Sequence, residues 1–186
     1  ARAIASVRGV ARGLAQAHAR GVIHRDVKPG NVIVRRTSES LPRPVLIDFG
    51  LARLERADPL TRRGQVLGTL SYMAPEQMRI VEAPVDARSD IYGLGATLYH
   101  LLTGRAPIDG ATLNAFLAQV QEGSVSHPST ARPGLPAALG DLCMKMIARN
   151  PSDRPQTMAD VLSALDRIGP SSDSRNRGLA VGRVHC

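Results

Sequence analysis

Asn31 and Asp48 each adjoin a short apolar run, and their side chains are of the kinds that bind a metal ion and a phosphate. The runs, at residues 32–34 and 45–47, predict the two strands of an antiparallel ribbon. If residue 32 lies opposite 47 and residue 34 opposite 45, the next pair outward is Asn31 with Asp48. Opposed residues have Cβ atoms roughly 5 Å apart. Because Mg²⁺ favours a few protein oxygens together with phosphate oxygens, this end of the ribbon is a candidate magnesium site.

Asp26 and Lys28 precede Asn31 on the same loop. A carboxylate beside a metal–phosphate centre can orient a hydroxyl group and accept its proton. A lysine beside it can offset the charge that grows on a transferred phosphoryl group. Taken alone, a loop aspartate more often caps a turn and a lysine is more often solvated. The convergence of these groups at one end of a ribbon favours phosphoryl transfer.

The elements that must position these residues are mostly helical. Apolar residues at helical spacing and capping signals predict helices at 4–18, 90–102, 113–120, 135–147 and 157–168, and a long loop at 48–84. The stretch "TMAD" predicts a capping box of Thr157 and Asp160 at the start of the last helix. The 90–102 helix is apolar on every side and is therefore expected to be buried. We expect a mainly α (α+β) domain over residues 1–169, a helical bundle with a small antiparallel ribbon, followed by a linker or disordered tail at 170–186.

Composition narrows the class of protein. The chain has 186 residues and a formal charge of +8, but its arginines are scattered and aromatic residues make up only 3%, so a nucleic-acid partner is not favoured. Cys143 and Cys186 form neither a metal motif nor a disulfide framework, which is typical of a reducing compartment. No apolar run reaches the ~18 residues of a membrane helix. We expect a cytoplasmic protein, with any membrane anchor outside this sequence.

Three motifs carry a family resemblance. The stretches "HRDVKPGN" at 24–31, "DFG" at 48–50 and "APE" at 74–76 resemble, in that order, the signature set of eukaryotic-type (Hanks-type) serine/threonine protein kinases of the bacterial kind. The stretch "SDIYGLGATLYHLLTG" from Ser89 and "NPSDRP" at 150–155 resemble further parts of the same large, C-terminal lobe. The resemblance extends to about Ile168 and implies the fold of that lobe.

The resemblance implies roles in transferring phosphate from ATP. By motif position, Asp26 corresponds to the catalytic base toward the substrate hydroxyl. Asn31 and Asp48 correspond to the ligands of Mg²⁺, and Lys28 to the residue that contacts the transferred phosphate. A lysine two residues after the aspartate is typical of kinases that act on serine and threonine. The implied cofactors are ATP and Mg²⁺, and the implied partners are proteins with serine or threonine acceptors in signal transduction.

The same resemblance implies a regulatory set. Arg25 corresponds to the arginine that pairs with a phosphate on the activation loop. Thr61 is the better acceptor for that phosphate, because Thr69 matches the threonine that bridges Asp26 and Lys28 and shapes the substrate-docking loop.

Four further residues are implied to be structural. Glu76 and Arg154 match a buried ion pair of the family, and removing one partner is expected to cost ~3–5 kcal/mol. Asp90 is implied to hold the backbone of the turn at His24 and Arg25 from beneath. His24 is then a packed scaffold residue.

The small N-terminal lobe of the family has no counterpart in this sequence. A glycine-rich loop, a strand lysine and its glutamate partner are missing, since the only lysines are Lys28 and Lys145. The resemblance therefore implies a large lobe alone, incomplete but with its catalytic residues intact. We expect that it is inactive without the small lobe in the same polypeptide.

Alternatives remain open. The lobe could act as a non-catalytic module that binds proteins through the 112–122 helix and the activation loop. A small-molecule kinase of the aminoglycoside type shares the H-x-D-x-x-x-x-N loop, but Lys28 and the 74–76 segment argue against it. A nucleic-acid binder ranks last and would need a steep salt dependence of DNA affinity.

Overall fold

A computed structural model describes residues 2–37, 40–48, 68, 70–110 and 112–169 of the chain. The elements are α1 (Arg2–His18), β1 (Val32–Thr37), β2 (Ser40–Leu46), α2 (Ala87–Thr103), α3 (Leu113–Glu122), α4 (Pro128–Ala131), α5 (Ala137–Met146) and α6 (Met158–Ile168), with 3₁₀ turns at Pro29–Asn31 and Pro151–Asp153. The prediction of a mainly helical domain with one antiparallel ribbon is confirmed. The short helix α4 and the two 3₁₀ turns were not predicted.

Helix α2 lies at the centre, and α1, α5 and α6 pack around it. Every residue from Ser89 to Tyr99 is buried, as predicted for a helix without a polar face. The Asp86 side chain caps the helix by accepting a hydrogen bond from Arg88 N, and Gly104 ends it with a φ of 80°. The helix is one turn longer at its start than the sequence indicated.

Two glycines let other segments approach the axis of α2. A Cβ atom on Gly93 would lie 2.7 Å from the carbonyl oxygen of Val27, and one on Gly95 would lie 2.6 Å from Met146 Cβ. The loop at 24–31 therefore rests directly on α2 on one side, and α5 rests on it on another. The Cys143 thiol of α5 points at Gly95 O at 3.6 Å, and burial raises the pKa of this thiol to about 12.

Helices α1 and α6 pack against each other and close the core. Helix α1 covers the predicted range, and Gly21 follows it with a φ of 73°. The predicted capping box of α6 is confirmed, with Thr157 and Asp160 each bonding the other's backbone N–H. Arg8 joins the two helices, because its guanidinium lies 3.1 Å from Asp166 Oδ1 and donates to Leu165 O at 3.0 Å.

Helix α5 is shorter than predicted. It begins at Ala137 and ends at Met146, instead of covering the predicted residues 135–147. Pro136 explains the later start, since the residue before a proline is disfavoured in helical geometry. Helix α3 matches its prediction and buries Phe116 and Val120 in a separate small cluster with Ile108.

The predicted register of the ribbon is wrong by one residue. Val32 pairs with Leu46 and Ile33 with Val45, and the strands continue through residues that were predicted to form a loop. Ile47 therefore lies opposite Asn31 and donates its N–H to Asn31 O at 2.9 Å. Both runs are apolar throughout, so either register would bury an apolar face, and alternation could not decide between them.

The predicted loop at 48–84 is described only in part, and residues 71–84 form successive turns as expected. Most of the activation-loop segment, including Thr61 and Thr69, lies outside the described residues, and so does 170–186. The division after residue 169 therefore stays a prediction. In the described parts of the chain, no helix has the length and apolar character needed to cross a membrane.

Candidate active site

The turn at His24 and Arg25 is held by a carboxylate from the first turn of α2. Arg25 has a φ of 66°, in the left-handed region that residues other than glycine rarely adopt. Asp90 Oδ1 accepts from Arg25 N at 2.7 Å, and Asp90 Oδ2 accepts from His24 N at 2.9 Å. Asp90 is buried, and its two short bonds offset the cost of the backbone conformation of Arg25.

His18 is a third donor to this carboxylate, although its position in the sequence predicted only that it belongs to the helix at 4–18. Its Nε2 lies 2.7 Å from Asp90 Oδ2. It stands in the last turn of α1, where the helix dipole favours a basic group. The sequence signal for His18 is a polar side chain at a position of the helix where the spacing predicts an apolar one.

His24 connects the 24–31 loop to the ribbon. Its ring is fully buried. Nδ1 accepts from Asp26 N at 3.2 Å, so the ring proton is on Nε2, which donates to Ile47 O at 3.1 Å. These contacts are those of a scaffold residue, because both ring nitrogens are engaged with backbone atoms.

Asp26, Lys28 and Asn31 meet at one carboxylate oxygen. Asp26 Oδ2 accepts from Lys28 Nζ at 2.9 Å and from Asn31 Nδ2 at 2.9 Å. Asn31 Nδ2 also donates to Asp26 O at 2.8 Å. Because both of these bonds use the amide nitrogen, the orientation of the Asn31 amide is fixed and its Oδ1 takes part in neither. The Asp26 and Lys28 side chains are 17% and 14% exposed and Asn31 is buried, so the cluster is reached from outside through Asp26 and Lys28.

Asp48 lies at the end of the ribbon, next to Ile47, and is exposed. Its φ of 55° ends the extended geometry of β2 at this point. Ile47, and not Asp48, is opposite Asn31. None of the hydrogen bonds between described residues joins Asp48 to Asp26 or Asn31. The structure therefore brings three of the four predicted chemical residues into direct contact, with Asp48 beside them at the strand end.

Glu76 and Arg154 form a bidentate ion pair whose side chains are both 0% exposed. Arg154 Nη1 lies 2.7 Å from Glu76 Oε1, and Nη2 lies 2.8 Å from Oε2. The remaining guanidinium protons bond the carbonyl oxygens of Ala148, Arg88 and Arg149. All five donors of the arginine are thus used, which is the condition for burying a charge at low cost.

Burial and neighbouring groups shift the pKa values of Glu76 and of Tyr92 at this ion pair. Burial alone would raise the pKa of Glu76, but hydrogen bonds from Arg154 and Ser89 and the charge of Arg154 outweigh it. The pKa of Glu76 is therefore below its usual range. Burial raises the pKa of Tyr92 to about 12, against the opposing charge of Arg154. The Arg154 guanidinium lies 4.9 Å from the centre of the neutral Tyr92 ring, a cation–π distance.

Gln77 is a second residue of the site that no sequence pattern indicated. Its Nε2 donates to Arg25 O at 2.8 Å, so a residue just after the "APE" motif contacts the catalytic loop directly. The predicted roles of Thr61 and Thr69 concern positions outside the described residues, and those roles stay predictions, as does the pairing of Arg25 with a phosphate.

Comparison with known proteins gives a family match and bacterial relatives. The sequence matches the protein kinase domain family over residues 1–164. It is 40% identical over 163 residues to the serine/threonine-protein kinase PknE of Mycobacterium tuberculosis, covering 88% of this chain and 28% of that protein. It is 40% identical over 157 residues to the serine/threonine-protein kinase Pkn1 of Myxococcus xanthus, covering 84% of this chain and 22% of Pkn1. The chain thus spans about a quarter of the length of these curated relatives.

Among solved structures, the chain is similar to the crystal structure of the Rad53 kinase domain and SCD2 in complex with AMPPNP. The TM-score is 0.67 at 23% identity, with 89% of this chain and 57% of that chain covered. At this identity the likeness shows the fold, and the family match and the bacterial relatives agree with the resemblance carried by the motifs. The chain therefore belongs to the protein kinase domain family.

Proposed function

We propose that this chain supplies the catalytic lobe of a serine/threonine protein kinase, which transfers the γ-phosphoryl group of Mg-ATP to serine and threonine hydroxyls of proteins. The observation that carries the proposal is the shared oxygen of Asp26, which holds Lys28 and Asn31 in one accessible cluster. The partly exposed Asp26 and Lys28 directly follow a residue with a left-handed backbone, and strained backbone positions of this kind cluster at functional sites.

Asp26 has the chemistry of the base. Its carboxylate is hydrogen-bonded at Oδ2, which fixes its direction for orienting a substrate hydroxyl and accepting the proton. Lys28 Nζ has three protons, of which the bond to Asp26 uses one, so it can also contact an oxygen of the transferred phosphoryl group. Asp26 thus keeps the lysine close to the place where negative charge develops.

The side chains of Asn31 and Asp48 suit Mg²⁺. The amide orientation of Asn31 keeps Oδ1 out of its bonds to Asp26, and Asp48 offers an exposed carboxylate. When bound, the ion neutralises charge on the phosphate oxygens. These two residues would hold it, which agrees with the roles implied by the motifs.

The outer face of the ribbon suits a flat apolar group. Ile33 and Val45 are paired on the face away from the core, and they are 48% and 37% exposed. Val32 and Leu46, on the other face, pack against the core. We infer that the Ile33–Val45 face is covered by the adenine of ATP and by a small lobe in the same polypeptide.

Phosphate transfer from labelled Mg-ATP to a generic basic protein tests the proposal. It is measured for the chain alone and for the chain joined to a kinase small lobe, with Asp26→Ala as the blank in each. We expect transfer by the joined protein and none above the blank by the chain alone. Equal transfer by the joined Asp26→Ala variant would overturn the role of Asp26. Transfer by the chain alone would show that it holds ATP without a small lobe.

A second candidate function is a non-catalytic module that binds proteins. Helix α3 supports it, since only Phe116 and Val120 of this helix are buried and Leu113 is exposed. Binding of a protein partner that survives Asp26→Ala and is lost with Leu113→Asp, in a joined protein that transfers no phosphate, would favour this candidate. A cytoplasmic location stays a prediction in either case.

A further inference from the structure

The backbone of Arg25 is held on both sides by side chains that are distant in sequence. Its N–H donates to Asp90 Oδ1 at 2.7 Å, and its carbonyl oxygen accepts from Gln77 Nε2 at 2.8 Å. This residue has the left-handed φ of 66° and immediately precedes Asp26. A backbone conformation of this kind persists only when its surroundings hold it, so both bonds bear on where the Asp26 carboxylate lies.

The Gln77 amide is oriented by two partners of opposite chemistry. Its Oε1 accepts from Ala74 N at 3.1 Å, while its Nε2 donates to Arg25 O. The main-chain N–H of Gln77 also donates to Ala74 O at 2.9 Å. One end of the amide must accept and the other must donate, so neither glutamate nor an apolar side chain of similar length can make both contacts.

The segment that holds Gln77 is itself firmly anchored. Glu76 is bound to Arg154 in the buried ion pair. Beyond Gln77, Met78 and Ile80 pack against the small cluster that contains Phe116 of α3. Gln77 thus makes a direct hydrogen bond from this anchored turn, residues 74–77, to the catalytic loop. A shift of the 74–77 turn would act on Arg25 O through this side chain.

We propose that Gln77 is a positioning residue that couples the 74–77 turn to the catalytic loop, so that Asp26 has its transfer geometry only while the Gln77–Arg25 bond is made. The effect on transfer rests on the proposed kinase function, whereas the coupling itself is a property of this chain and is measurable without activity. The protein kinase motifs assign no role to Gln77.

Two substitutions and one control isolate the bond. Gln77→Glu keeps an acceptor for Ala74 N but sets a carboxylate oxygen against Arg25 O, and Gln77→Met keeps the length while removing both contacts. Gln121→Glu makes the same change of charge on α3. The Gln121 side chain is exposed and makes no hydrogen bond with any described residue.

The first measurement uses the 186-residue chain and needs no ATP. NMR gives the carbonyl ¹³C shift of Arg25 and the exchange rate of its N–H in each variant. We expect Gln77→Glu and Gln77→Met to move the carbonyl shift and to speed exchange about tenfold, and Gln121→Glu to change neither. Unchanged Arg25 signals in both Gln77 variants would overturn the proposal. If Gln77→Glu does not fold, Gln77→Met decides.

The second measurement uses the chain joined to a small lobe. We expect both Gln77 variants to lower kcat about tenfold while the KM for ATP stays within twofold, since Arg25 positions Asp26 and not the nucleotide. A merely structural role would lower the active fraction without changing the Arg25 signals of the folded chain. An unchanged kcat in both variants would overturn the catalytic part of the proposal. If the unsubstituted joined protein transfers nothing, the proposed function fails, and the NMR result still decides the coupling.

Discussion

Two polar clusters are anchored on the first turn of α2, and they differ in how completely their groups are bonded. Ser89 donates to Glu76 of the buried ion pair, while its neighbour Asp90 accepts from the backbone of the catalytic loop. The ion pair is fully excluded from solvent, and every donor of Arg154 is used. The catalytic cluster is partly exposed, and its backbone is in an unfavourable conformation.

The difference separates a structural cluster from a chemical one. A buried charge with all its bonds made has nothing left to offer a ligand, and its removal leaves an unpaired charge. The Asp26 cluster keeps groups within reach of solvent and rests on a loop whose strain is held from α2. The ion pair should therefore matter for stability, and the Asp26 cluster for activity.

Replacing Arg154 should give the largest loss of stability. Arg154→Met leaves the Glu76 carboxylate buried without its partner, and we expect the free energy of unfolding to fall by ~3–5 kcal/mol. Denaturant unfolding of the chain measures this, with Arg132→Met at an exposed position as the control. A loss below ~1 kcal/mol would mean that the ion pair is not a structural centre.

Gly93→Ala should give the next largest loss of stability. Gly93 lies in α2 against the catalytic loop. The new Cβ would meet Val27 O at 2.7 Å, an atom of the backbone next to Asp26. We expect a destabilisation of ~1–3 kcal/mol from overpacking, together with shifts of the loop amides. Gly13→Ala is the matched control in α1, since nothing lies within 4 Å of its Cβ position. It should stabilise the chain by ~0.5–1 kcal/mol.

Acid should weaken the ion pair over a pH range that is set by the pKa of Glu76. The folded pKa of this residue is lowered. Its contribution is therefore complete above the unfolded pKa of about 4.3 and is lost as the pH falls through the lower folded pKa. The difference in unfolding free energy between the unsubstituted chain and Glu76→Gln should be constant from pH 7 to 5 and shrink below that. Glu122→Gln, at an exposed position, serves as the control. A difference that grows on acidification would contradict the lowered pKa.

Asp26→Asn should give the smallest change in stability. The Asp26–Lys28 ion pair is partly exposed, and pairs of this kind contribute about 1 kcal/mol or less. We expect thermal unfolding of the chain to change little, although the same substitution removes the base. A destabilisation above ~2 kcal/mol would place Asp26 with the structural residues and erase the contrast with Arg154.

The parts of the fold that the sequence predicted well are those with local signals. The burial of α2, which is apolar on every side, and the capping box of α6 depend on residues close together in the chain. Both predictions are confirmed. The ribbon register was not determined locally, because Val32–Val34 and Val45–Ile47 are apolar at every position. The start of α5 was misplaced because the effect of Pro136 on Leu135 outweighed the apolar periodicity.

In the candidate site, too, the residues that are close together in sequence were the predictable ones. Asp26, Lys28 and Asn31 are close in sequence, and their convergence was predictable from residue type and spacing. His18 and Gln77 act on the loop through Asp90 and through a backbone carbonyl, over separations of many residues. Contacts to backbone atoms leave no pattern of side-chain types in the sequence, so only the folded chain reveals them.

The burial of Cys143 has a practical consequence for labelling. Burial raises the pKa of its thiol to about 12, so very little of it is thiolate at pH 8, and it lies inside the α2–α5 contact. Maleimide reagents should therefore leave it unmodified in the folded chain. In a Cys186→Ser background, a cysteine introduced at Gln121 would carry a fluorophore alone. Slow modification of Cys143 would then report the rate at which the core opens.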